Sequence, residues 1–111
     1  MKAPKYRNTK VEWNGEKFDS KAECSRYASL LVMQKAGRIS GLTRQVSFVL
    51  APKVIIGGKV KRSLIYRADF GYKDAAGKPV VEDVKGQLTQ AYIIKRHLMK
   101  SIHGIDILET K

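Results

Sequence analysis

With 111 residues, 43% of them apolar and 29% charged, the chain has the size and composition of one globular domain with a modest core. Its 22 Lys and Arg against 10 Asp and Glu leave a formal charge of +12, so a polyanion is the expected partner. That composition excludes a disordered tail; the lone Cys24 excludes an internal disulfide, and no apolar run approaches the ~20 residues of a membrane span.

Residues 1–10 read as a basic arm, with Lys5, Arg7 and Lys10 as phosphate contacts, and residues 11–111 as a single domain without repeat or linker. Asn14-Gly15, between Val11-Glu12-Trp13 and Glu16-Lys17-Phe18, is a strong hairpin signal. A helix is expected from Asp19-Ser20 to about Ala36, closed by Gly37, with Ser20 and Glu23 spaced as a capping box. Glu23 also falls with Tyr27 and Leu30 at i, i+4, i+7, at the edge of the buried stripe. Its carboxylate therefore has two readings, a cap or an acid facing the sheet, and they are compatible.

Gln45 to Leu50 reads as a strand, followed by Val54-Ile55-Ile56, a Gly57-Gly58 turn and one long run from Lys59 to Tyr72. Lys59, Lys61, Arg62 and Arg67 lie along that run, on or near the face expected to react. A second helix is expected from about Leu88 to Ile102, with an inward stripe of Leu88, Ala91, Ile94, Leu98 and Ile102. Lys95 falls inside that stripe, and Gln87 stands where the helix opens. Gly104 closes the helix and Ile105 to Glu109 reads as a last strand, which makes the class α+β, a mixed sheet with an antiparallel meander and two main helices. Cys24, His97 and His103 lack a zinc spacing and read as structural. The N-terminus lacks a signal-peptide core and no helix has a membrane-anchoring aromatic face, so the reading is intracellular, without a membrane partner.

The most informative stretch is Tyr66 to Tyr72 followed by Pro79 to Gly86. A three-residue loop at Ala75 to Gly77 sets Asp69 opposite Asp83, and Lys85 shares their face. Like charges opposed at about 5 Å are destabilising, whereas a divalent cation takes one or two carboxylates plus water. An ordinary solvated hairpin with a salt-linked Lys85 fits the same pattern, so the rest of the chain must decide.

Glu23, Asp69 and Asp83-Val84-Lys85, in that order, resemble the PD-(D/E)xK (restriction-endonuclease-like) nuclease superfamily. Phe18-Asp19-Ser20-Lys21-Ala22-Glu23, Tyr66-Arg67-Ala68-Asp69-Phe70 and Val81-Glu82-Asp83-Val84-Lys85-Gly86 are similar to small phage-encoded Holliday-junction-resolvase endonucleases, over about Lys5 to Glu109. Ala68 stands where the superfamily has proline, and Glu82 beside Asp83 leaves two candidates for the acid before x-Lys. Alternation favours Asp83. The resemblance implies a hydrolase of branched DNA, such as a four-way junction, acting in DNA recombination as a homodimer in the cytoplasm of a phage host. It implies Mg²⁺, with Mn²⁺ as the alternative, held by Asp69, Asp83 and Glu23, with Lys85 orienting or deprotonating the attacking water. Gln87 would steady the phosphate, and Lys95 would contact it. The competing readings are another nicking or branch-trimming nuclease of the same fold and a non-catalytic nucleic-acid-binding protein.

Overall fold

The computed structural model describes residues 10–111; Lys5 and Arg7, and with them most of the expected basic arm, lie outside the described residues. The chain runs β1 (Val11–Trp13), β2 (Glu16–Phe18), α1 (Lys21–Lys35), β3 (Ser40–Ala51), β4 (Val54–Ile56), β5 (Lys59–Lys61), β6 (Leu64–Lys73), β7 (Pro79–Val84), α2 (Gln90–His103) and β8 (Leu108–Thr110). A central sheet has the order β3-β6-β7-β8, antiparallel except for the parallel β7–β8 pair, while β1–β2 and β4–β5 are separate two-stranded ribbons. The class is α+β, as expected. No helix among the described residues is long and apolar enough to cross a membrane.

Val80 and Val81, consecutive on β7, belong to different apolar clusters, so the two helices cover opposite faces of that strand. On the α1 face Leu30, Ile39, Phe70 and Tyr72 are buried together. On the α2 face Leu50, Tyr66, Ala68, Val81, Tyr92 and Met99 form the second cluster. The parallel β7–α2–β8 crossover accounts for α2 lying flat on one face.

Ala68 and Phe70 have equal parity on β6 yet face different clusters, and so do Leu42 and Phe48 on β3. The pleat therefore reverses near Asp69 on one strand and near Gln45 on its neighbour, where Gln45 takes a φ of 57°. A non-glycine residue in the left-handed region costs energy and is found where surrounding structure holds it there. At Gly71 a Cβ would meet Val46 Cγ2 at 3.0 Å, so a side chain there needs Val46 to shift.

Two expectations about elements are corrected. The run from Lys59 to Tyr72 is two strands broken at Arg62 and Ser63, and its first part pairs only with β4. The inward face of α2 is set by Tyr92 and Met99, whereas Leu88, Ile94 and Ile102 are about half exposed. The larger Tyr92 ring and the flexible Met99 fill the inward space, and of the expected aliphatic stripe Leu98 alone packs against their cluster. Thr89 caps this helix, its hydroxyl accepting from the Tyr92 N–H at 3.1 Å, so Gln87 lies in the bend before it.

Candidate active site

The loop Ala75 to Gly77 is closed by Asp74 and Lys78, whose backbones hydrogen-bond at 2.9 Å, and Gly77 supplies the left-handed φ of 81°. The register that follows pairs Phe70 with Glu82, and the next step sets Asp69 against Asp83. There the backbone ladder ends and the two carboxylates replace it. The Asp69 N–H donates to Asp83 Oδ1 at 3.0 Å, and the Val84 N–H donates to Asp69 Oδ2 at 2.8 Å. Each acid thus ties down the other strand at the point where β6 and β7 part.

A cleft of about 420 Å³ lies beyond this fork, between β6 and the start of α2, lined among others by Tyr66, Arg67, Lys85, Thr89, Tyr92 and Lys95. Asp83 is 2% exposed and lies behind the cleft wall, against the lining residues Tyr66 and Lys85. The Tyr66 hydroxyl donates to its Oδ2 at 2.5 Å, and Lys85 Nζ stands 3.2 Å from the same oxygen. Lys85 is held from its other side by the Tyr92 ring, whose centroid is 4.1 Å from Nζ. Burial first, then the bond to Asp83, pushes the Tyr66 phenol well above its ordinary range, so it stays a donor. Arg67 and Lys95 place two further cations on the cleft.

The acid pair carries a titration signature. Asp69 is pushed up to about 7, by burial first and then by the neighbouring Asp83, while the Val84 N–H pulls the other way. The charge of Glu23 adds to the rise. Below about pH 4 this carboxyl is protonated in the folded and unfolded chains alike. Between about 4 and 7 the folded chain alone keeps the proton, so its stabilising contribution falls as pH rises and is gone above about 7. In EDTA, Asp69→Asn should therefore gain on the wild type by about 1–2 kcal/mol between pH 5 and pH 8, read from urea denaturation. A gap that does not move with pH would mean that the fold does not hold Asp69 in its protonated form. Two opposed carboxylates behind the wall of a cleft fit a hard dication, which takes one or two carboxylates and completes its shell with water.

Glu82, the neighbouring acid, is bonded on the other face of β7. Fully buried, it accepts Arg26 Nε at 2.6 Å and Nη2 at 3.0 Å, the Tyr72 hydroxyl at 2.6 Å and the Thr110 hydroxyl at 3.0 Å. Burial raises its pKa, but the bonds from Arg26, Tyr72 and Thr110 outweigh that and leave it below the usual carboxylate range. It faces α1 while Asp83 and Lys85 face the cleft. Arg26, three residues after Glu23 on one helix face, could have been noticed from that spacing; its partner 56 residues away could not.

Glu23 fills the capping role and more. Its N–H donates to Ser20 Oγ at 3.1 Å, and its Oε1 accepts the Asp19 N–H at 3.3 Å, one residue earlier than a capping box requires. Its Oε2 accepts the Gln45 amide at 3.2 Å and lies 3.5 Å from Arg44 Nη2. Glu23 is 4% exposed, yet it is not gathered with Asp69 and Asp83: among the described residues no three His, Cys, Asp or Glu side chains form a metal-holding group. Gln45 and Arg44 were invisible to sequence reasoning, because only the left-handed turn at Gln45 brings its amide to the helix.

The remaining expected residues separate. Gln87 is exposed and does not line the cleft, Lys10 is exposed ahead of β1, and Lys59 and Lys61 stand on the β4–β5 ribbon with Arg62 just after it. A second cleft of about 350 Å³ flanks α2 on its other side, but its charges are mutually paired, Arg96 with Glu109 at 2.9 Å and Lys100 with Asp106 at 2.8 Å. It carries no opposed acids.

Residues 3–105 match the family described as "Protein of unknown function (DUF1064)". The chain belongs to that family. No curated protein and no solved structure matches it. The matched span includes both strands of the fork, Glu23 and all of the cleft-forming helix, so the acid pair and its cations lie within the matched residues.

Proposed function

We propose that the protein is a metal-dependent, structure-selective DNA endonuclease of the PD-(D/E)xK type, acting as a Holliday-junction resolvase. The observation that carries this reading is the opposed Asp69–Asp83 pair bonded to Lys85, which lines a cleft together with Arg67 and Lys95. A protein that only coats nucleic acid gains nothing from buried acids beside a phosphate backbone. Asp69 and Asp83 would hold Mg²⁺ or Mn²⁺, with Glu23 contributing through water. When bound, the cation supplies charge neutralisation at the phosphate and stabilises the leaving oxygen. Lys85, fixed between Asp83 and the Tyr92 ring, directs the attacking water. Water adds to phosphorus, the P–O bond breaks, and a phosphate monoester and a hydroxyl end result.

Arg67 and Lys95 hold the flanking backbone, which carries no base information, so selection is by shape. Resolving a junction takes two cuts related by a two-fold axis, hence a homodimer. These steps belong to recombination in the cytoplasm of a phage-infected cell. The test is incubation with a labelled four-way junction and a matched linear duplex, in Mg²⁺ and in EDTA. Paired symmetric nicks on the junction, abolished by EDTA, are expected. Equal cutting of both substrates would make it a general nuclease, and binding without cutting in Mg²⁺, or in Mn²⁺ put in its place, would remove the enzyme reading.

A further inference from the structure

Among the described residues the β4–β5 ribbon stands apart from both apolar clusters, and its two strands pair only with each other. All six of its strand residues are exposed, including Ile55 at 71% and Val60 at 66%. Ile55 lies directly opposite Val60, so these two share one face, while Val54, Ile56, Lys59 and Lys61 share the other. A two-stranded hairpin is marginal in water by itself, and an apolar pair held out in solvent marks a contact surface. Residues 53–62 carry Lys53, Lys59, Lys61 and Arg62 and no acid.

That charge selects the occupant. Contact cores between proteins are depleted in lysine, and a two-fold contact of the ribbon with its own copy would set the same four cations against each other. A DNA interface is strongly positive, and the major groove admits a two-stranded ribbon. The Gly57-Gly58 turn, with φ of 58° and 77°, keeps the tip narrow. We propose that the β4–β5 ribbon is a DNA arm. Lys59 and Lys61 follow the phosphates, and the Ile55–Val60 face packs on bases left unstacked at a branch point. An intact duplex offers no such bases, so this contact supplies part of the preference for branched substrates. The choice of branched DNA rests on the function proposed above; the arm itself rests on the ribbon's faces and charge.

The test is metal-free binding in EDTA, which needs no cleavage. A four-way junction and a linear duplex carry 2-aminopurine at the branch point or its equivalent. Wild-type protein should raise the fluorescence of the junction probe, and Ile55→Ser/Val60→Ser should remove that rise. The same variant should lower the junction-over-duplex affinity ratio about tenfold or more. Lys59→Ala/Lys61→Ala should instead weaken both substrates and reduce the salt slope by about one per lysine. Unchanged fluorescence and affinity ratio in the Ile55/Val60 variant would overturn the proposal. So would sedimentation showing that variant as a monomer where the wild type is a dimer, since the ribbon would then be a contact between copies. Because cleavage is not read, an arm signature in an inactive protein would sink only the nuclease reading.

Discussion

Asp83→Asn protein is expected to bind a four-way junction with wild-type affinity and to cleave it at least about 10³-fold more slowly. Asp83 is where three demands meet: it anchors the Asp69 backbone, accepts the Tyr66 hydroxyl and pairs with Lys85. Asn keeps the shape but not the charge that a dication and the Lys85 ammonium require. Removing that charge also relieves Asp69, whose pKa Asp83 helps to raise, so the folded protein should be no less stable at pH 8. A dead enzyme with an equal or higher Tm is the signature of a site built at the expense of stability. Lys85→Ala should give the same loss of rate, again with duplex and junction binding kept, because Arg67 and Lys95 still line the cleft. Normal cleavage by either variant, or lost binding with retained cleavage, would end the assignment.

Arg26→Ala should cost about 3 kcal/mol of stability, or roughly 10–20 °C in Tm. The guanidinium makes two bonds to a fully buried carboxylate, and removing it leaves Glu82 charged with only hydroxyl partners. The pH dependence should change sign as well. In the wild type the depressed Glu82 contributes stability above the ordinary carboxylate range and loses it as pH falls through its own pKa. Without Arg26, burial dominates, the carboxyl prefers its proton, and stability falls as pH rises above about 4. Adding Glu82→Gln to Arg26→Ala should recover part of the loss, since the buried charge is gone. Urea denaturation at pH 4 and pH 8 checks this. Equal stability of Arg26→Ala and wild type at both values would mean the pair contributes nothing net.

Much of the local structure was legible in the chain. Asn14-Gly15, the Ser20 cap and the Asp74-to-Lys78 loop formed as read, because turns and caps are decided by a few adjacent residues and their allowed φ. That loop also settled the β6–β7 register, and with it the opposition of Asp69 and Asp83, since in a hairpin the turn counts the pairs. Lys85 followed from alternation. The inward face of α2 was misjudged, because two rows of that helix are apolar and only the shape of the β6 surface chooses between them. Lys59, Lys61 and Arg62 were assigned to the reacting face because the break at Arg62-Ser63 carries no turn signature.

What the sequence determined by itself, then, is the set of opposed acids, the lysine beside them and the positive charge of the whole, all consequences of short-range spacing and composition. Tertiary structure alone decided which acid lies against the residues of the cleft wall. Glu82 and Asp83 are chemical near-equals, and their roles diverge because α1 brings Arg26 to one face while α2 and β6 bring Tyr92 and Tyr66 to the other. It also decided that Gln45 turns left-handed to reach Glu23, and that a basic ribbon stands clear of the sheet. Those outcomes depend on contacts between residues tens of positions apart, where packing rather than local preference sets the lower free energy.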